Sequence, residues 1–99
     1  MNELVVAVPC TKVDEKEVYE WFDKLDEEVT EFKAEILKRF NPEDTLEKVE
    51  KKYRDRIAEE GADVCTVITS ISERMGIVKE ERMKAQLKVN CHNCERGRF

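Results

Sequence analysis

Apolar residues recur at three- and four-residue steps through the first half of the chain. They follow a capping-box pattern formed by Asp14 and Glu17. This spacing predicts an amphipathic helix of roughly six turns with its apolar side turned to the core. We expect Asn41-Pro42 to end it, because the residue before a proline is disfavoured in helical geometry. The stripe comprises Val18, Phe22, Leu25, Val29, Phe32, Ile36 and Phe40.

A second periodic segment begins with another capping-box pattern at Asp44 and ends at Gly76, the expected C-cap. The pattern leaves open whether residues 43–75 form one helix or two, with a break near Gly61. A last amphipathic helix is expected over about 78–89. Its inward residues would be Met83 and Leu87, and those of the second segment Leu46, Val49, Tyr53, Ile57, Val64, Ile68, Ile71 and Met75.

These elements predict an all-α fold, a helical bundle with about four helices per chain. Residues 1–10 are β-prone but too few to form a sheet alone, so residues 1–13 are interpreted as an arm or a docked extension. Residues 14–90 would form the helical domain and residues 91–99 a C-terminal tail. A chain of 99 residues buries a modest fraction of its surface. We therefore expect the apolar stripes to be covered in a homodimer or homotetramer, where two helical hairpins complete a four-helix bundle.

The composition agrees with this expectation and excludes several classes of protein. Charged residues make up 41% of the chain, and three Gly and two Pro are few for a protein rich in turns. The net charge of −5 makes nucleic acid a poor partner. No segment approaches the roughly 18 apolar residues of a membrane span. Four cysteines without a secretory signal favour reduced thiols and a cytoplasmic location.

Two pairs of carboxylates carry the candidate chemistry. Glu28 and Glu31 are three residues apart, as are Glu60 and Asp63, so each pair lies on one side of its helix. If two antiparallel helices pack by their stripes, the four carboxylates meet at one edge. Such a cluster would repel itself unless hard divalent cations, which prefer oxygen ligands, neutralised it. With 23 acidic residues, spacing alone favours the simpler alternative of a solvated helix face.

The order of these motifs resembles that of the MazG-like all-α nucleoside triphosphate pyrophosphohydrolases. The sequence E-E-x-x-E at residues 27–31 precedes E-x-x-D at residues 60–63, and an apolar helix ending in Gly76 follows. The resemblance implies a Mg²⁺-dependent enzyme that hydrolyses a (deoxy)nucleoside triphosphate to the monophosphate and pyrophosphate. It implies that both pairs are the catalytic metal ligands and that Glu27 supports them. The alternative is a non-catalytic helical interaction or regulatory module with acidic pairs on its surface.

The resemblance extends to the end of the chain, where the family supplies groups to the triphosphate. The matching candidates are Lys88, Asn90, Arg96 and Arg98, against the alternative of solvated tail charges. Trp21 is a further substrate-binding candidate that could stack on a base, although a core position beside Phe22 is an equal alternative. Two positions depart from the family pattern. Gly61 stands where a leucine or isoleucine is usual, and His92 where a lysine is often found.

Cys91 and Cys94 have the spacing of half a zinc knuckle. A closed zinc site needs further ligands, and Cys10, Cys65 and His92 are the remaining thiols and imidazole. Cys65 is expected in the core, and His92 is awkwardly placed between the two cysteines. A chance pair of reduced thiols is therefore the preferred interpretation.

Overall fold

The computed structural model describes residues 5–39 and 51–97, apart from the side chains of Lys52 and Arg96. Within these ranges the chain forms three α-helices, one short 3-10 turn and no strand. The prediction of an all-α fold is confirmed for this part of the chain. The expected helix end at Asn41-Pro42 and the expected start at Asp44 lie outside the described residues. The elements are the 3-10 turn Val13–Glu15, α1 Val18–Arg39, α2 Lys51–Arg74 and α3 Lys79–Arg96.

The start of α1 is one turn later than the sequence suggested. The backbone N–H of Glu17 donates to Oε1 of Glu20 at 3.1 Å, and the N–H of Trp21 donates to the carbonyl of Glu17 at 3.1 Å. The predicted cap by Asp14 is wrong, because Asp14 lies in the 3-10 turn. The indole Nε1 of Trp21 donates to the carbonyl of Val13 at 2.9 Å, which holds this turn against α1.

α1 and α2 pack as an antiparallel pair, and the described part of α2 is continuous through Gly61. A Cβ at Gly61 would lie 3.3 Å from Cε1 of Phe32 on α1. One turn further along α1, Oε1 of Glu35 is 4.0 Å from Nε of Arg56 on α2. The absence of a side chain at Gly61 therefore lets the two helices approach closely in the middle of their contact.

The face of α1 that is most buried differs from the predicted one. Trp21, Glu28 and Glu35 are its buried residues, and they are centred roughly 85° around the helix from the predicted stripe. Phe22, expected in the core, has 52% of its surface exposed. Leu37 is 71% exposed. Within one chain, α1 thus turns its acidic edge towards α2 and leaves part of its apolar side uncovered.

α2 differs from expectation in the same way. Val67 and Ser70 are buried, while Ile68 and Met75, which were expected inside, are exposed. Ser70 Oγ donates to the carbonyl of Thr66 at 2.8 Å and accepts from the backbone N–H of Cys10 at 3.0 Å. This second bond ties Cys10 of the N-terminal segment to α2.

The turn between α2 and α3 follows the predicted cap. Gly76 has a φ of 82°, a left-handed conformation that suits glycine. Its N–H donates to the carbonyl of Glu73, and the N–H of Ile77 donates to that of Ser72, both at 2.9 Å. This pattern is a Schellman motif. It ends α2 and reverses the chain into α3.

α3 extends well beyond the expected range of 78–89 and includes part of the predicted tail. It runs to Arg96 and is followed by Gly97 at a φ of 60°. Arg82 joins it to α2 through an ion pair of 2.9 Å with Glu73. Met83 and Leu87 were predicted to face inward, but both are exposed, Leu87 at 65%. No helix in the described ranges is long and apolar enough to cross a membrane.

Candidate metal centre

Three of the four predicted carboxylates meet across the contact between α1 and α2. One oxygen from each of Glu28, Glu60 and Asp63 lies within 4.8 Å of the other two. Glu28 is 8% exposed, Glu60 is half-buried and Asp63 is exposed. The group is therefore an open-sided cluster with its deepest ligand on α1. We call these three residues the acidic cluster.

The fourth predicted carboxylate, Glu31, lies beside the acidic cluster. It forms a second group with Glu27 and Glu28, whose oxygens also lie within 4.8 Å of one another. Glu31 is exposed, yet its pKa is raised above the ordinary value. The negative charge of Glu28 is the largest cause, followed by desolvation and by the charges of Glu27 and Glu60. Glu28 belongs to both groups, so it is the residue that connects them.

Two oxygens of the acidic cluster have no partner in the described part of the chain. Oε2 of Glu28 and Oε2 of Glu60 are buried and accept no hydrogen bond from those residues. An unpaired buried polar group costs about 1–3 kcal/mol, and more when it is charged. These two atoms are thus acceptors without a donor, which is the arrangement expected of ligands for a hard cation.

Another buried acid in the same helix contact is compensated differently. Oε1 of Glu35 is 3.1 Å from Nε of Arg39 and 4.0 Å from Nε of Arg56. The guanidinium of Arg39 also lies over the ring of Tyr53, 4.3 Å from its centre. This single carboxylate has two arginine side chains near it. In the described part of the chain, the three carboxylates of the acidic cluster have far less positive charge around them.

The cation that does contact the acidic cluster is Lys24, which the sequence analysis did not single out. Its Nζ is 3.0 Å from Oε1 of Glu28 and 3.6 Å from Oε1 of Glu27. The hydrogen bond to Glu28 is the largest cause that raises the pKa of Lys24 above 10.5. The four-residue spacing between Lys24 and Glu28 is the signal that could have identified it, since such residues are neighbours on a helix.

A shallow groove of about 270 Å³ adjoins Lys24 on the outer side of α1. Its walls carry both signs of charge, so it could accommodate a polar group next to the acidic cluster. The lining residues are Lys16, Glu20, Asp23, Lys24 and Glu27.

Trp21 occupies the core position that was one of its two predicted alternatives. It is 3% exposed, its Nε1 is bonded to the carbonyl of Val13, and Nζ of Lys16 lies 5.9 Å from the ring centre. Stacking on a nucleobase would require the 3-10 turn to move away from the ring. The geometry therefore favours a structural role.

The remaining substrate-binding candidates belong to α3 and the residues after it. Lys88 and Asn90 are exposed on α3, and the side-chain oxygen of Asn90 accepts from Nε2 of Gln86 at 2.8 Å. The backbone of Arg96 is helical, but its side chain lies outside the described part of the structure, as does all of Arg98. No measured contact brings Lys88 or Asn90 to the acidic cluster.

The cysteines do not form a recognisable metal site in the described residues. Cys91 and Cys94 lie on α3, and all four cysteines are exposed and free. The expectation that Cys65 is in the core is wrong. The candidate metal groups among the described residues consist of carboxylates alone.

Comparisons of this chain with protein-family models, with curated proteins and with solved structures found no match. The function must therefore be inferred from the residues of this chain. The acidic cluster is the feature with the most specific chemistry.

Proposed function

We propose that this chain is a Mg²⁺-dependent nucleoside triphosphate pyrophosphohydrolase of the MazG-like kind, with Mn²⁺ as a possible substitute. One observation carries the proposal: Glu28, Glu60 and Asp63 converge from two helices, and buried oxygens of Glu28 and Glu60 have no hydrogen-bond partner among the described residues. The resemblance of the two acidic motifs to that family supplies the substrate class and the reaction.

The donor set fits a hard divalent cation. Glu28, Glu60 and Asp63 offer oxygen ligands, and Glu31 adds a fourth carboxylate at the open side. Mg²⁺ and Mn²⁺ prefer such ligands and keep some bound water. The contrast with Glu35 supports the assignment, because the chain surrounds that single buried acid with arginines and leaves the cluster with a large negative excess.

Some residues of the chain would bind the metal, and others would bind the substrate. Bound cations would neutralise phosphate charge and make a water molecule more acidic. Glu28 would fix the position of the site, because it is the most buried ligand and belongs to both carboxylate groups. Lys88, Asn90, Arg96 and Arg98 remain the proposed contacts to the triphosphate. The products would be a nucleoside monophosphate and pyrophosphate.

We further propose that the active form is a homodimer or homotetramer. Large apolar side chains are exposed on both α1 and α3 of the single chain, and a monomeric protein seldom leaves so many uncovered. Burial of each such side chain is worth about 1.5–3 kcal/mol. The most exposed of them are Tyr19, Phe22, Leu37, Met83 and Leu87.

The decisive experiment is a substrate panel with product analysis. The purified chain is incubated with ribo- and deoxyribonucleoside triphosphates, with and without Mg²⁺ or Mn²⁺, and the products are separated by chromatography. We expect metal-dependent release of monophosphate and pyrophosphate, and near-complete loss in Glu28→Gln and Asp63→Asn. Asp55→Asn is the matched control, because Asp55 is an exposed carboxylate of α2 outside both acidic groups.

A second candidate function is a helical interaction module, which the exposed apolar residues of α1 and α3 also favour. The two candidates differ in their response to metal. Mg²⁺ or Mn²⁺ should raise the melting temperature of the enzyme, because a ligand that binds only the native state stabilises it. The melting temperature of the module should not change. Release of a nucleoside diphosphate in the panel would contradict the proposed reaction.

A further inference from the structure

Lys24 stands out as a cation placed in an otherwise acidic environment. It lies one turn before Glu28 on α1, with Nζ 3.0 Å from Oε1 of that residue and 3.6 Å from Oε1 of Glu27. The side chain of Glu28 is 10% exposed and that of Lys24 is 39% exposed. The ammonium group therefore reaches the deepest ligand of the acidic cluster from its outer side.

Lys24 compensates the acidic cluster incompletely. Among the described residues, Lys24 is the only cationic side chain that forms an ion pair with a member of the acidic cluster. Its contact is with Oε1 of Glu28, and Oε2 of both Glu28 and Glu60 is buried without a donor from the described part of the chain. An ammonium carries one charge on a flexible stem, so it cannot satisfy three convergent carboxylates at once. A divalent cation with several oxygen ligands can.

We propose that Lys24 is a built-in competitor of the divalent cation, pairing with Glu28 in the metal-free protein and leaving it when the metal binds. The inference rests on the proposed metal site. Its physical basis is that an ammonium 3.0 Å from Oε1 of Glu28 and a divalent cation bound to that same carboxylate would repel each other. This repulsion opposes the Lys24–Glu28 pair once the metal binds, so the affinity of the site is lower than its carboxylates alone would give.

The surroundings of Lys24 provide a place for the displaced ammonium. The adjoining groove is lined by Glu20 and Asp23 as well as Glu27. Glu20 is four residues before Lys24, a spacing that allows an ion pair along the helix. The side chain can thus exchange one carboxylate partner for another without unfolding α1, which makes the exchange reversible.

The experiment measures Mn²⁺ binding to the full chain by isothermal titration calorimetry and by electron paramagnetic resonance of free Mn²⁺. Lys24→Met keeps an unbranched side chain, one atom shorter, and removes its charge. We expect it to bind Mn²⁺ roughly two- to fivefold more tightly than the wild type, since breaking a partly exposed ion pair no longer opposes binding. Lys24→Arg, which keeps the charge, should bind like the wild type.

Two controls separate this effect from a general change of charge or of folding. Lys33→Met removes an exposed lysine from the same helix and should alter the affinity less than twofold. The metal-free melting temperature of Lys24→Met should fall, because Glu28 loses its cation, and saturating Mn²⁺ should restore it. A melting curve with a single cooperative transition verifies that each variant is folded.

The possible results lead to different conclusions. Tighter binding in Lys24→Met alone supports competition. Equal or weaker binding in that variant, with normal binding by the wild type, overturns the competitor role and leaves the metal site intact. Equal tightening in Lys33→Met also overturns it, because the effect would then be one of net charge. Failure of every variant and of the wild type to bind Mn²⁺ overturns both the metal site and the role of Lys24.

Discussion

Glu28→Gln tests the central claim that the acidic cluster is built for a cation. The substitution keeps the size of the side chain, removes its negative charge and replaces one oxygen with an N–H donor. In the metal-free protein this removes one of three carboxylates whose oxygens lie within 4.8 Å of one another, so their mutual repulsion falls. The variant should therefore be more stable than the wild type without metal and less stable with it.

The expected magnitudes follow from the burial of Glu28. The unpaired Oε2 costs the metal-free wild type about 1–3 kcal/mol, and the lost pair with Lys24 offsets up to about 1 kcal/mol. The net gain for Glu28→Gln is then about 1 kcal/mol. For a chain of this size, that raises the melting temperature by about 4–8 °C.

Bound metal should make the wild type more stable than Glu28→Gln. At a concentration of one hundred times the dissociation constant, a bound cation stabilises the wild type by about 2.7 kcal/mol, or about 10–20 °C in melting temperature. If the variant binds a hundredfold more weakly, the same concentration stabilises it by only about 0.4 kcal/mol. Scanning calorimetry with and without Mg²⁺ measures both values.

The control for this experiment is Asp55→Asn, an exposed carboxylate of α2 that lies outside the cluster. Its melting temperature should respond to Mg²⁺ like that of the wild type. The reasoning is refuted if Glu28→Gln retains the full response to Mg²⁺, or if Asp55→Asn loses it to the same extent. A wild type whose melting temperature is insensitive to both Mg²⁺ and Mn²⁺ would favour the interaction module.

Three further predictions concern the surroundings of the cluster and the assembly. The pKa of Glu31 is raised mainly by the charge of Glu28, so ionised Glu31 destabilises the metal-free fold above that pKa. Glu31→Gln should therefore raise the melting temperature at neutral pH, and the difference from the wild type should vanish as the pH falls through the pKa of Glu31. A difference in melting temperature that does not change with pH would contradict this prediction. Gly61→Ala gains about 1 kcal/mol of helix propensity, but the new Cβ pushes on Phe32, 3.3 Å away. We expect the stability to change by less than about 1 kcal/mol and Mn²⁺ binding, measured by calorimetry, to weaken. Unchanged Mn²⁺ affinity would disprove a coupling between this helix contact and the metal site. Leu37→Lys should convert the oligomer to a folded monomer in light scattering, since Leu37 is 71% exposed in the single chain; a monomeric wild type with full activity would refute the assembly.

Much of the local structure could be predicted from the sequence, because its signals act over a few residues. The three- and four-residue spacing of apolar positions predicts α1 and α2, and Gly76 marks the end of α2 where the left-handed turn is observed. The spacing of Glu28 and Lys24 also defines a neighbouring pair on one helix, although the search for acidic motifs overlooked it. The cap at Asp14 was misplaced, because the bond from Trp21 to the 3-10 turn acts against the local pattern.

The candidate site depended on the rotation of one helix against another, which no local pattern determines. The spacing of apolar residues predicts that the buried face of α1 is the stripe that includes Phe22. In the structure, the packed helices bury Glu28 and Glu35 instead. The cause lies in contacts distributed along the whole helix pair, including the close approach of Phe32 to Gly61.

The sequence alone therefore determined that two acidic pairs exist, that each lies on one side of a helix, and where α2 ends. Only the tertiary structure decided that Glu28, Glu60 and Asp63 meet, and that two of their oxygens are buried without a donor from the described residues. The physical reason is the distance along the chain over which each interaction acts. Helix formation and capping depend on neighbours within about four residues, whereas burial of a charge depends on every atom that the folded chain brings near it.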